Sequence, residues 1–160
     1  MIYSPHNQSE KDLYMRIAIG CDPNAQQAKM EIIEYILKNN LGQVRDFGSE
    51  DTIYANVAIE VASSVAKGEY DRGILICGTG IGMSIAANKV KGAYAALISD
   101  VYSAQRARLS NDANIACIGA FTTGSKVREQ LVREFLTNEF VPGCSSQKKV
   151  DAYKEYDLRK

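Results

Sequence analysis

Cys77-Gly78-Thr79-Gly80-Ile81-Gly82-Met83-Ser84 has the greatest capacity for chemistry of any segment in this sequence. Three glycines within five residues remove the side chains that would screen backbone N–H groups. A helix starting just after them would aim its partial positive end at the same place. Such a turn can hold an oxyanion or a phosphate, and it can equally be a plain tight turn. Its glycine spacing is G-x-G-x-G, not the dinucleotide G-x-G-x-x-G, and it follows the third strand of the chain rather than the first. No phosphate-loop Lys-Ser/Thr pair or ribose-binding acid accompanies it, so a nucleotide site is disfavoured. Cys77 has two readings. A thiol beside a helix N-terminus is drawn toward thiolate and can accept a proton. A free cysteine closing an apolar strand can also be a small buried hydrophobe.

The elements that must position this turn follow from the pattern. Residues 15–21 form a short apolar run stopped by Asp22-Pro23-Asn24, and 25–39 place Ala28, Ile32, Ile33, Ile36 and Leu37 at helical spacing. Residues 43–47, 73–77, 93–98 and 115–118 read as further strands. Helices are expected over 54–66, 83–89, 101–109, 124–137 and, in the polar tail, 146–156. Strands apolar throughout and separated by helices imply a parallel sheet covered on both faces. The expected fold is α/β: a Rossmann-like, doubly wound sheet of five parallel strands in three α/β/α layers, with a C-terminal helix. Ligands of such sheets bind beyond the carboxyl ends of strands, which puts Cys21-Asp22, Cys77-Gly78-Thr79-Gly80 and Ser99-Asp100 in view.

A chain of 160 residues suits one domain. We place it over residues 15–160, preceded by a polar extension, 1–14, expected to be flexible. Nineteen basic and nineteen acidic residues cancel, which argues against nucleic acid or an anionic membrane as partner. The apolar runs fall short of the roughly 18–20 residues of a membrane span. Four cysteines without CxxC spacing suit reduced thiols and a cytoplasmic protein. Cys21 and Cys117 read as core, and Cys144 as an exposed tail residue. His6 is the only histidine, so a zinc set is not expected.

The run from Asp71 to Lys89, DRGILICGTGIGMSIAANK, closely resembles the signature of the sugar-phosphate isomerases, the family of type B ribose-5-phosphate and galactose-6-phosphate isomerases. Ile17-Ala18-Ile19-Gly20-Cys21-Asp22, Asp46-Phe47-Gly48, Ser99 to Ala104 and Ser110-Asn111-Asp112-Ala113-Asn114 extend the likeness from about Met15 to Tyr156. The resemblance implies a proton moved between C1 and C2 of an open sugar through a cis-enediolate, without metal or cofactor. It implies Cys77 as base, Thr79 as an assistant at the sugar oxygens and Asp22 as a hydroxyl contact. Backbone N–H groups of Gly78, Gly80, Ile81, Gly82, Met83 and Ser84 would stabilise the enediolate oxygen. Tyr54, Ser110 and Asn111 would bind substrate, Asn111 often from a partner subunit. A homodimer or homotetramer with the site at the interface is implied.

Several polar positions of the family pattern are altered. The Asp-His pair after the first strand is Asp22-Pro23, the His-Asn-Asp segment is Ser110-Asn111-Asp112, and the Tyr-Pro pair is Tyr54-Ala55. The basic residue after the fifth strand is Phe121, and the Gly-Gly-Arg-His tail is replaced by the run from Pro142 to Lys149. No histidine remains from Met15 onward, so imidazole cannot open a sugar ring here. A tetrulose phosphate such as erythrulose 4-phosphate would need no such help. Lys148, Lys149 and Arg108 are the candidates left for phosphate, the two lysines reading equally as solvated charges. A non-catalytic partner subunit of a two-chain isomerase is the further alternative.

Overall fold

The computed structural model describes residues 2–3, 14–48 and 50–159, with side chains from residue 14 onward. Its elements in chain order are β1 (Ile2–Tyr3), β2 (Arg16–Cys21), a 3-10 turn (Pro23–Ala25), α1 (Gln26–Lys38), β3 (Gln43–Asp46), α2 (Tyr54–Ala66), β4 (Arg72–Cys77), α3 (Ile81–Ala87), β5 (Ala95–Leu97), α4 (Val101–Leu109), β6 (Ile115–Gly119), α5 (Ser125–Thr137) and α6 (Gln147–Leu158).

The central strands are apolar on both sides because both sides are covered. Ile17, Ile19, Ile74, Ile76, Ala116 and Ile118 pack with α1, α4 and α5. Ala18, Leu75, Cys77, Ile115 and Cys117 pack with α2 and α3. Period-two alternation along each strand thus feeds two separate cores. Gly20 shows how close the second layer lies: a Cβ there would stand 2.6 Å from Val57 Cγ1 of α2.

The sheet order is β1-β3-β2-β4-β6-β5. β3, β2, β4, β6 and β5 are mutually parallel, giving the expected five-stranded, doubly wound sheet in three layers. The chain winds outward from β2 to β3, then returns to β4 on the other side of β2. The carboxyl ends of β2 and β4 therefore flank the crevice where strand order reverses. Cys21-Asp22 and Cys77-Gly78 sit at those ends.

A sixth, two-residue strand comes from the polar leader. Ile2 and Tyr3 lie antiparallel to Arg45 and Val44. The N–H groups of Gln43 and Phe47 go to Met15 O and Ile19 O, both at 2.8 Å, so the alternating Val44 turns its peptide groups outward, toward Tyr3. The expectation of a flexible extension otherwise falls on residues 1 and 4–13, outside the described residues. The opposite edge is met by a side chain. The Asn88 amide donates to Ala95 O at 2.8 Å and accepts from Ala95 N–H at 2.9 Å.

The amino ends of the strands are tied by charge. Glu139 pairs with Arg72 at 2.8 Å and with Arg108 at 3.0 Å. Arg108 also meets Asp112 at 3.0 Å, and Asp112 meets Lys154 of α6 at 2.6 Å. Burial, then the neighbouring Arg108 charge, holds the Arg72 pKa below its ordinary value despite Glu139. α6 is further docked by Asp157, which accepts the Gly92 N–H at 2.7 Å, and by Val150, fully buried. Arg16 and Asp71 pair at 2.7 Å nearer solvent. Among the described residues no helix is long and apolar enough to cross a membrane.

Candidate active site

Cys77 ends β4, and its side chain lies in the core shared by α2 and α3, 6% exposed. Its sulfur accepts the Gly80 N–H at 3.0 Å. That contact needs the chain to fold back within three residues, which Gly80 permits by adopting φ +79°. A side chain at Gly80 would be excluded on two further counts. Its Cβ would lie 2.6 Å from Leu97 Cδ1 and about 3.0 Å from the Ile118 backbone. Gly80 caps α3, which consequently starts at Ile81, inside the glycine turn, instead of at Met83 after it.

Thr79 stands at the mouth of the turn, exposed, with Oγ1 accepting the Ile81 N–H at 3.3 Å. The Ser84 N–H is used inside α3, bonding Gly80 O at 3.1 Å. Gly82 and Met83, in the first turn of α3, have N–H groups with no intrahelical acceptor. Met83 can serve the site only through its backbone, because its side chain is fully buried. Ile81 is half exposed. The Ser84 hydroxyl reaches Ala95 O at 3.5 Å. Cys117, under the turn, has its thiol pKa pushed far up by burial and secondarily by Cys77, a hydrogen bond with Ser84 acting the other way. It is core, as is Cys21, whereas Cys144 is half-buried rather than exposed.

Two neighbours complete the crevice. Tyr54, first residue of α2, lays its phenol against Gly82, with Cε2 2.6 Å from where a Cβ would stand. Asp22 follows β2; its N–H donates to Ile76 O at 2.9 Å. One carboxylate oxygen accepts the Asn24 N–H at 2.8 Å, so Asp22 caps the 3-10 turn at the carboxyl end of β2. Cys77, Gly78, Thr79, Gly80, Ile81, Gly82, Met83, Ser84, Tyr54 and Asp22 are thus gathered at one end of the sheet.

The remaining expected residues are not gathered there. Ser110 and Asn111 follow α4 and precede β6, at the amino ends of the strands. Ser110 Oγ accepts from Arg106 at 3.1 Å, and Asn111 donates to Arg106 O at 2.9 Å and accepts from the Tyr153 hydroxyl at its carbonyl. Lys148 and Lys149 open α6, both exposed. Arg108 is withdrawn as a phosphate ligand: it is 3% exposed and bonded to Asp112, Glu139 and the Ala113 carbonyl.

The loop after β6 also borders the site. Ala120 N–H donates to Cys77 O at 2.8 Å and Phe121 N–H to Gly78 O at 2.9 Å. The Phe121 ring covers Gly78, where a Cβ would meet its Cδ2 at 2.9 Å, yet it is 73% exposed. Arg128 is buried beside this loop and pairs with Glu31 at 2.7 Å. Its signal was legible in principle: Arg128 falls on the apolar stripe of Leu131, Val132 and Phe135, where a charge is out of place.

Residues 17–153 match the model of the family described as Ribose/Galactose Isomerase. The chain is 47% identical over 148 residues to a protein named Ribose-5-P isomerase B from Listeria innocua, covering 91% of this chain and 99% of that one. It is 41% identical to D-erythrulose-4-phosphate isomerase 2 of Mycolicibacterium smegmatis, covering 89% and 97%. Among solved structures, the type B ribose 5-phosphate isomerase of Leishmania infantum superposes with a TM-score of 0.84 at 38% identity, covering 90% and 97%. The match spans the β2–β4 crevice and the Cys77 turn together, and on it the chain belongs to the ribose/galactose isomerase family and is an aldose–ketose isomerase.

Proposed function

We propose that the chain moves a proton between C1 and C2 of a small phosphorylated sugar, of the ribose 5-phosphate/ribulose 5-phosphate type, with Cys77 as the base. The observation that carries this is the Cys77 sulfur at the topological switch point, accepting the Gly80 N–H at 3.0 Å. A thiolate there takes the proton from C2 of the aldose; the electrons form the C1–C2 double bond of a cis-enediolate. The proton is then returned to C1, and the hydroxyl proton passes between O1 and O2 to give the ketose. Thr79 is placed to serve those oxygens, and the N–H groups of Gly82 and Met83 to bear the enediolate charge. Asp22 and Tyr54 hold sugar hydroxyls. No cofactor takes part in these steps.

Ser110 and Asn111 reach such a site only from a second copy of the chain, so the proposed enzyme is a homodimer or homotetramer with its site at the interface. Exposed Ile81, Ile85, Leu97 and Tyr102 around the turn give that second copy an apolar surface to cover. Lys148 and Lys149 are the proposed phosphate ligands. The cytoplasm is the proposed compartment.

A tetrulose phosphate is the second reading, favoured by the lack of any histidine between residues 15 and 160. Erythrulose 4-phosphate has no furanose or pyranose ring to open through its phosphorylated end. A panel of ribose 5-phosphate, allose 6-phosphate, galactose 6-phosphate and erythrulose 4-phosphate, with wild type and Cys77→Ala, separates the readings. We expect turnover of a pentose or tetrulose phosphate, reduced about a thousandfold or more in Cys77→Ala. Turnover untouched by Cys77→Ala would remove the proposed base. No turnover by the wild type alone would favour a partner subunit of a two-chain isomerase.

A further inference from the structure

The turn that carries Cys77 is held from two sides, and only one of them is α3. The other is the loop 119–123, which follows β6. Ala120 and Phe121 donate to the carbonyls of Cys77 and Gly78 at 2.8 and 2.9 Å. Gly119 lies so close that a Cβ on it would meet Thr79 Cα at 2.9 Å. Thr123, buried, bonds back to Gly119 O at 2.6 Å. The loop is therefore in register with the base, residue for residue.

Arg128 fixes that loop. Its Nη1 donates to Ala120 O at 3.3 Å and also to Thr123 O, while Nη2 pairs with Glu31 of α1 at 2.7 Å. One guanidinium thus ties α5, α1 and both ends of the loop. The guanidinium fork reaches two carbonyls through Nη1 and a carboxylate through Nη2; a lysine has a single nitrogen to stand in for both positions, and a thioether has no donor. For stability alone the arrangement is a poor choice, since a well-packed apolar side chain on the stripe of Leu131, Val132 and Phe135 would do as well or better.

We propose that Arg128 is a positioning residue for the proton-transfer centre, clamping the 119–123 loop so that the Cys77-Gly78-Thr79 backbone holds its place. This rests on the reading of Cys77 as base. It commits Glu31 as the anchor of the clamp and places Phe121, over Gly78, as the part of the loop that moves most when the clamp is lost.

The test uses the full chain with Cys144→Ser, which removes the half-buried tail thiol; Cys21 and Cys117 are fully buried. Alkylation of Cys77 by iodoacetamide is followed against pH in Arg128→Met, Arg128→Lys and Glu31→Gln, beside turnover of whichever sugar phosphate the panel selects. We expect Arg128→Met to remain folded by circular dichroism, with the pH midpoint of alkylation moved by about half a unit or more. We expect kcat to fall about 10- to 100-fold with KM little changed. Arg128→Lys should restore only a minor part, since one ammonium nitrogen cannot stand both at the Nη1 position against the carbonyls and at the Nη2 position against Glu31. A folded Arg128→Met with the wild-type alkylation profile overturns the proposal, whether or not kcat falls. Should Arg128→Met fail to fold, Glu31→Gln decides in its place: a displaced midpoint supports the clamp and an unchanged one overturns it. Displaced alkylation in a protein whose Cys77→Ala form still turns over leaves the clamp standing and removes Cys77 as base.

Discussion

The two ends of the sheet are held together by opposite means. At the carboxyl ends the chain spends glycine and backbone: Gly80 at φ +79°, Gly82 under Tyr54, Gly119 against Thr79. At the amino ends it spends charge, with Glu139 bridging Arg72 and Arg108, and Asp112 bridging Arg108 and Lys154. A reaction that builds an oxyanion needs donors already in place and nothing nearby that competes for them. A network of full charges would compete. The larger network lies at the amino ends, where it anchors α6, and the pair beside the turn, Arg128–Glu31, is directed at the carbonyls of the loop 119–123.

Substitutions at the two ends should therefore fail in different ways. The largest effect is expected for Gly80→Ala. The new Cβ meets Leu97 Cδ1 at 2.6 Å in a left-handed backbone, so the turn must move. Activity should fall about a hundredfold, with a loss of about 1–2 kcal/mol in stability from the backbone alone. Steady-state kinetics and urea unfolding measure both; retained kcat would break the claim that this end is set for chemistry.

Glu139→Ala comes next and should reverse the pattern. It removes the carboxylate that Arg72 pairs with and one of the two that Arg108 pairs with, on side chains 12% and 3% exposed. Removing one member of a buried pair costs about 3–5 kcal/mol. The lower end of that range is expected because the Glu139 carboxylate is 60% exposed. The kcat of the folded enzyme should be unchanged within about twofold. A large loss of kcat would mean that the amino end is not merely structural.

The smallest effect is expected for Asp71→Asn. Hydrogen bonds from Arg16 hold the Asp71 carboxyl below its usual range, against a smaller opposing effect of burial. A lowered pKa contributes stability above the ordinary carboxylate range and loses it as pH falls through the lowered value. The wild type should thus lose this increment below about pH 4, and Asp71→Asn should lack it at every pH. At neutral pH the difference should be under about 1 kcal/mol, the pair being exposed. Melting temperatures from pH 2 to 7 check the sign.

Much of the fold was legible because both faces of its strands are buried. Runs such as Ile115 to Ile118 leave no alternation to misread, and the amphipathic spacing of 25–39 and 124–137 marked α1 and α5 to within a residue or two. What failed to show depends on space rather than pattern. A polar leader gives no hint that Ile2 and Tyr3 pair with β3, since two residues carry no period. The start of α3 was misplaced because glycines look like loop until their dihedrals are known. The Cys77 turn was legible from its glycines. Ser110 and Asn111 were named with it on resemblance, although their place between a helix and the next parallel strand already puts them at the amino ends. Arg108 and Arg128 look alike in sequence as helix cations and both are buried; what separates them is the end of the sheet at which their partners lie.

The outermost strands carry one more consequence. Tyr3 occupies the outward face of β3 at Val44, and the Asn88 amide occupies that of β5 at Ala95. An edge met by a two-residue strand on one side and by a side-chain amide on the other is a poorer template for strand addition. The homomer proposed above would then meet through side chains on helices and loops, where fit is specific and reversible. The same blunting guards a sheet rich in Ile and Val against growing into fibrils when the protein is concentrated.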